Sequence, residues 1–131
     1  MAIVSYAVER ATRLQHQYAF EIRMIRRPAD ARNSLVQQYL QGLSETEHKK
    51  VVSRIMTMAE IGPHRNRERY GSLGDGVYEL KVGQHRIPFF YGGQGIIVLT
   101  HGFFKTHDEA PPAEVRRAKE LRALYIEEFG D

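Results

Sequence analysis

The chain has 131 residues, 42% of them hydrophobic and 27% charged, which is the size and composition of one globular domain and excludes a second full-sized one. Its 19 Lys and Arg against 16 Asp and Glu give a formal charge of +3, a balance that suits a polyanionic partner without requiring one. With no cysteine, a disulfide framework, a thiolate zinc site and a cysteine nucleophile are excluded together, and a reducing cytoplasm is the expected compartment.

In chain order, Ile3, Ala7, Ala11, Leu14 and Tyr18 recur at helical spacing, so residues 3–18 are expected to form an amphipathic helix, an N-terminal extension within residues 1–18. This start lacks a basic leader before an apolar run, and no apolar run in the chain approaches the ~20 residues that cross a bilayer, so neither a targeting segment nor a membrane partner is expected. From Phe20 the period becomes two, with Phe20, Ile22 and Met24 alternating with Glu21, Arg23 and Ile25, which describes a strand ending before Pro28. Leu35, Val36, Tyr39, Leu40 and Leu43 then form the apolar side of a short helix that Gly42 weakens at its end. A second helix opens on a capping box at Ser44 and Glu47, keeps its period through Val51, Ile55 and Met58, and stops at Gly62-Pro63.

Residues 64–70 carry Arg65, Arg67 and Arg69 with little apolar content and are expected to form an exposed basic loop. Three strand-like runs follow, at 77–82, 85–91 and 96–104, separated by Gly83-Gln84 and by Gly92-Gly93-Gln94-Gly95. Short turns make them an antiparallel meander. After Pro111-Pro112, Val115, Ala118, Leu121, Tyr125 and Phe129 define a last amphipathic helix. The order helix, strand, two helices, three strands, helix predicts one α+β domain over residues 1–131, an antiparallel sheet packed against helices.

A two-residue turn at Gly83-Gln84 sets Val82 opposite His85, Lys81 opposite Arg86 and Leu80 opposite Ile87. Pairing Tyr91 with Ile96 across the next turn predicts Phe90 beside Ile97, Pro88 beside Leu99 and Arg86 beside His101. Lys81, Arg86 and His101 would then cross three strands in a row, with Phe103 and Lys105 on the same solvent face. Tyr78, Leu80, Val82, Ile87, Phe89, Ile96 and Val98 would form the opposite, core face. Like charges directly opposite each other repel, so the row needs compensation, from Glu79 on the same face or from a bound anion.

The run Leu73-Gly74-Asp75-Gly76-Val77-Tyr78-Glu79-Leu80-Lys81-Val82, then His85-Arg86-Ile87, then Ile97-Val98-Leu99-Thr100-His101-Gly102-Phe103-Phe104-Lys105-Thr106, resembles the HigB-type branch of the RelE toxin superfamily, a phage-associated group. The resemblance covers residues 20–125. It implies a RelE-like, microbial-ribonuclease-type fold, a metal-independent endoribonuclease that cleaves mRNA on the ribosome, and a cognate helix-turn-helix antitoxin as partner. Three positions depart from the pattern. Pro88 interrupts the middle strand where relatives carry an aliphatic residue, and removes a ladder donor, as at a bulge. Thr106 stands where many relatives have a second lysine, and the extension before Phe20 is long.

Metal-independent RNA cleavage needs a proton acceptor for the 2′-OH, cations for the growing negative charge and a donor to the leaving oxygen. Arg86 suits a phosphate because its guanidinium donates two parallel hydrogen bonds, with an ion pair to Glu79 as its structural alternative. Lys81 and Lys105 would add charge or transfer a proton, or be solvated surface lysines. His101 is a candidate acid or base, or a structural histidine at a strand end. Glu79 is a candidate base or a charge balancer. Phe103, Phe90 and Tyr91 are candidate base-stacking rings, with core packing the stronger expectation for all three, particularly for Tyr91 on the inner face. Arg65, Arg67 and Arg69 would hold the RNA backbone, or form a solvated loop. His64, His85 and His107 lack metal-ligand spacing, so no metal and no cofactor are expected. The competing reading of the whole is a catalytically silent RNA- or partner-binding domain on the same fold.

Overall fold

A computed structural model describes residues 4–7, 19–27, 33–63 and 66–130. Among these residues the elements run β1 (Val4–Ala7), β2 (Glu21–Arg26), α1 (Leu35–Gln41), α2 (Glu45–Ile61), β3 (Tyr70–Gly74), β4 (Val77–Val82), β5 (His85–Tyr91), β6 (Ile96–Leu99), β7 (Phe103–Phe104) and α3 (Pro112–Phe129). The α+β class is as expected. The sheet order is β1-β2-β6-β5-β4-β3, with β7 pairing the start of β5, and only the β2–β6 pair is parallel among the described strands.

Residues 4–7 form a strand antiparallel to β2, where helical spacing predicted the start of a helix. The edge of β2 offers a row of backbone groups that pairing satisfies and a helix would leave to water, so tertiary context overrides the periodicity. Residues 8–18 of the expected helix lie outside the described residues.

The two helix starts invert the sequence expectation. At α1, Ser34 accepts from the Gln37 amide while the Gln37 side chain accepts from the Ser34 amide, a complete capping box that composition did not announce. At α2, Ser44 accepts from the Glu47 amide, but the Glu47 carboxylate turns away to accept from His85 Nε2 at 2.8 Å. The Tyr39 hydroxyl donates to the other nitrogen of that ring, Nδ1, at 2.6 Å, so one imidazole ties α1 and α2 to the start of β5. The bond from His85 holds the Glu47 carboxyl below the usual carboxylate range. Helix α2 then ends at Gly62, whose φ of 79° is open chiefly to glycine, and Pro63 blocks continuation.

The β4–β5 hairpin has the expected register, with Lys81 opposite Arg86 and Val82 opposite His85. The next pair differs from expectation by one residue. Phe90 faces Val98 and Tyr91 faces Ile97, because residues 93–95 form a three-residue loop closed by Gly92 donating to the Ile96 carbonyl at 3.0 Å. Gly95, at φ 76°, takes the left-handed position such a loop requires. A slip of one exchanges the faces of β6: Ile97 and Leu99 join the Leu80, Val82, Ile87 and Phe89 layer, while Val98 turns to the other side.

The third predicted strand is broken. Opposite Pro88 the ladder loses its regularity; the Thr100 amide still donates to the Pro88 carbonyl, and the chain re-enters the sheet as β7 with Phe103 opposite Arg86. Both faces of the sheet are covered. Helices α1 and α2 bury Ile22, Met24, Leu80, Val82, Ile87 and Phe89, whereas α3 lays Leu121 and Tyr125 against Ile25, Phe90 and Val98. No helix among the described residues is long and apolar enough to cross a membrane.

Candidate active site

The α3 side of the sheet carries the charged cluster. Successive odd positions of β4 put Glu79 and Lys81 on this face, and pairing places Arg86 beside Lys81. Edge strand β3 contributes Gly71, opposite Glu79 in the ladder. A Cβ at Gly71 would stand 3.1 Å from both Glu79 Oε2 and Lys81 Cε, so the missing side chain gives room for the carboxylate and the lysine stem to lie together over β3. Strand β3 was not expected from the sequence, and Gly71 carried no visible signal there.

Arg86 does not stand on a solvent face. It is 9% exposed, and Nη1 donates to the carbonyls of Gly83 at 2.7 Å and His85 at 3.0 Å. Its Nε lies 3.8 Å from Glu79 Oε1, and both atoms are buried without a hydrogen-bonding partner. That separation is an ion pair too long for a direct hydrogen bond. The like-charge contact between Lys81 and Arg86 is therefore compensated from within by Glu79. Lys81 is half-buried; its Nζ donates to the Arg67 carbonyl at 3.0 Å and its amide to the Arg69 carbonyl at 2.7 Å.

His101 is not in the row. With β6 shifted and the strand broken, Arg86 faces Phe103, and His101 is withdrawn beneath α3, 2% exposed. Its Nε2 lies 3.1 Å from Glu114 and its Nδ1 3.0 Å from Thr100 Oγ1. A neutral ring protonated on Nε2 donates to Glu114, while Nδ1 and the Pro88 carbonyl, 3.2 Å from Thr100 Oγ1, share the one hydroxyl proton of Thr100. Burial, reinforced by the charge of Arg117, pushes its pKa down to about 4 against the opposing pull of Glu114. At neutral pH this histidine is a structural tie between the sheet and α3.

Phe103 is buried and stacked on His101 at 5.8 Å between ring centres, so it packs where base stacking was one expectation. Phe90 is fully buried against Tyr125. Lys105 follows β7 and is held by its backbone: its amide donates to the Gln84 carbonyl and its carbonyl accepts from the Gln84 side chain. Lys105 and Lys81 are both half-buried, whereas Arg86 is buried. Arg67 is exposed and Arg69 half-buried, both on the loop whose carbonyls hold Lys81; Arg65 lies outside the described residues. Among the described residues no three His, Asp or Glu side chains converge as metal ligands do.

Tyr78 and Tyr91, both expected in or near the core, are 36% and 45% exposed on the opposite face, where α2 has already ended. Alternation placed them on the correct side of the sheet, but nothing in the pattern said how far the helix would reach.

The family described as phage-derived protein Gp49-like (DUF891) matches residues 38–123, a span that holds every charged residue of this face from Glu79 to Lys105. No curated protein matches the chain.

Proposed function

From the premise that the chain belongs to the Gp49-like family of phage-derived proteins, a RelE/toxin-like family, we propose that it is the toxin of a toxin–antitoxin pair and a metal-independent ribonuclease that cleaves mRNA on the ribosome. One observation carries the reading: Lys81 and Arg86 sit directly opposite each other with the Glu79 carboxylate beside them, on the family-matched part of the sheet. Opposed cations destabilise a sheet unless something holds them together, and a phosphate bridging the rim would add to what Glu79 provides.

In this mechanism Lys81 and Lys105 meet the scissile phosphate from the solvent side, and Arg86 strengthens the positive field from behind, where low dielectric magnifies its effect. Glu79 takes the 2′-OH proton as the hydroxyl oxygen attacks phosphorus. The RNA bond to the 5′ oxygen breaks, and the ammonium of Lys81 or Lys105 gives that oxygen a proton as it leaves. His101 has no part in the transfer. A helix-turn-helix antitoxin is the partner, in the cytoplasm, and it neutralises the toxin by covering this face.

A second reading is favoured by the burial of Arg86 and His101 and by Thr106 in place of a cation: a catalytically silent RNA- or partner-binding domain on the same fold. Inducing the chain in bacteria separates the two. Growth arrest with transcripts cut in translated regions, abolished by Lys81→Ala, is expected of the nuclease; growth and intact transcripts at full expression would leave the silent domain.

A further inference from the structure

We propose that the depression across the sheet from Lys81 and Arg86, between the end of α2 and the β3–β4 edge, is a subsite that takes one unpaired base of a single-stranded RNA. The inference rests on the RNA-directed reading above and adds a binding site to it. The depression has a volume of about 490 Å³ and is lined by Tyr70, Tyr78, Phe89 and Tyr91, with Asn66 and Arg67 at its rim. Small-molecule sites begin at about 300 Å³, so a base with its sugar fits.

The site exists because of where α2 stops. Leu80 and Val82 are buried on the same face of β4 as Tyr78, but the helix ends at Ile61 and Gly62 turns the chain away. The rings of the next layer are left uncovered. They brace one another at 5.8 to 6.3 Å between centres: Tyr78 is tilted 31° against Phe89, while Tyr70 and Tyr91 each meet Phe89 nearly edge-on at 84°. A braced cluster of this kind offers a base a rigid surface with little ordering cost.

Charge selects the occupant. Burial pushes the Tyr70 hydroxyl pKa up against the opposing pull of Arg69 and Arg54, Arg67 lines the rim, and no carboxylate is among the described lining residues. Aromatic faces interleaved with arginine suit a polyanion whose units carry π-faces, and suit a carboxylate-rich protein segment less, since such a segment has no ring to place on the floor. The subsite also communicates with the charged face. Arg67 lines the depression while its carbonyl holds Lys81 Nζ, and Gly71 lines it while giving room to Glu79 and Lys81. A strand crossing edge strand β3 at Gly71 and Ser72 therefore reaches both sites at once.

The test is a titration of the full-length protein with a short fluorescein-labelled, 2′-O-methylated oligoribonucleotide, which cannot be cleaved, followed by anisotropy. Tyr78→Leu combined with Tyr91→Leu should weaken binding at least about tenfold, whereas the corresponding Phe variants should stay within about twofold, because a stacked base is worth roughly 1–3 kcal/mol and needs the ring only. Ser72→Glu, an exposed substitution at the rim, should weaken binding through repulsion of phosphate and serves if the Leu variants do not fold. Wild-type affinity in both the Leu double variant and Ser72→Glu overturns the subsite while leaving the nuclease reading intact. Absence of binding by the wild-type protein, with transcripts still cut in cells, does the same. Antitoxin binding abolished in the Leu variants with RNA binding unchanged overturns it in favour of a protein occupant. Cleavage abolished in Lys81→Ala with oligonucleotide binding retained supports both sites as separate.

Discussion

Arg86 Nε and Glu79 Oε1 lie 3.8 Å apart, both buried and neither with a hydrogen-bonding partner, so their charges balance through space and the pair is loosely coupled. A tight bidentate bridge would fix Arg86 to Glu79. Here the guanidinium is anchored at its other end, by the carbonyls of Gly83 and His85.

Arg86→Ala should therefore cost stability as well as activity. Removing Arg86 leaves the buried Glu79 carboxylate with Lys81 as its remaining cationic neighbour, a loss of about 3 kcal/mol at most. Urea denaturation reads it. Adding Glu79→Gln to Arg86→Ala should recover part of the loss, and a double variant as unstable as the sum of the two singles would show that the pair is not coupled.

Lys81→Ala, at a half-buried rim position, should leave the melting temperature within a few degrees of wild type and lower transcript cleavage about a hundredfold, the scale for losing one charge-stabilising donor. Full cleavage by a folded Lys81→Ala protein would remove it from the site. Lys105→Ala should act in the same direction.

The loop arginines should affect affinity and its salt dependence. Their carbonyls, not their side chains, hold Lys81, so Arg67→Ser with Arg69→Ser keeps that scaffold. The slope of log affinity against log salt should fall by about one for each phosphate no longer neutralised. An unchanged slope would assign both side chains to solvent.

His101 predicts acid sensitivity. Its pKa is about 4 in the folded protein and near 6.5 when unfolded, so between these values the unfolded chain binds the extra proton and stability rises with pH. Its contribution is full above about pH 6.5 and is lost as pH falls toward 4, a change on the order of 3 kcal/mol. Urea midpoints across this window should follow that curve in wild type and flatten in His101→Gln. A wild-type curve without this slope would contradict the buried neutral ring.

Gly102→Ala should destabilise by about 1–3 kcal/mol, the cost of overpacking, because a Cβ there would stand 2.6 Å from Tyr39 Cγ. The displaced ring would also loosen the Tyr39 hydroxyl from His85. Thermal melting, with the Gly102→Ala protein compared with Tyr39→Ala Gly102→Ala, checks whether the ring is the obstacle.

The parts of the fold legible in the sequence are those where local chemistry leaves one answer. Gly83-Gln84 admits a two-residue turn, and the Lys81–Arg86 register follows from it. Gly92-Gly93-Gln94-Gly95 admits several, and the apolar runs on either side read alike on both faces because helices cover both. The one-residue ambiguity there moved His101 from the charged row to the interior. Burial of Arg86 was equally hidden, since it depends on β7 returning to pair with the start of β5. Strand β3 was masked by its own glycines and by the arginines before it, which read as loop until a neighbouring edge gives them a ladder.

The parallel ladder between β2 and β6 sets the timing of assembly during synthesis. Residues 21–24 wait for residues 96–99 before β2 has its inner neighbour, and β1 can only add to β2 from outside. Long loop closure must precede that pairing, which makes it slow. The β4–β5 hairpin can close by itself as it emerges, but β7 and α3, which complete its charged face, come later still. A chain that ends before residue 99 lacks a complete β6, the strand that joins β2 to β5. The charged face is thus unassembled for most of the chain's synthesis, and prematurely terminated copies lack it.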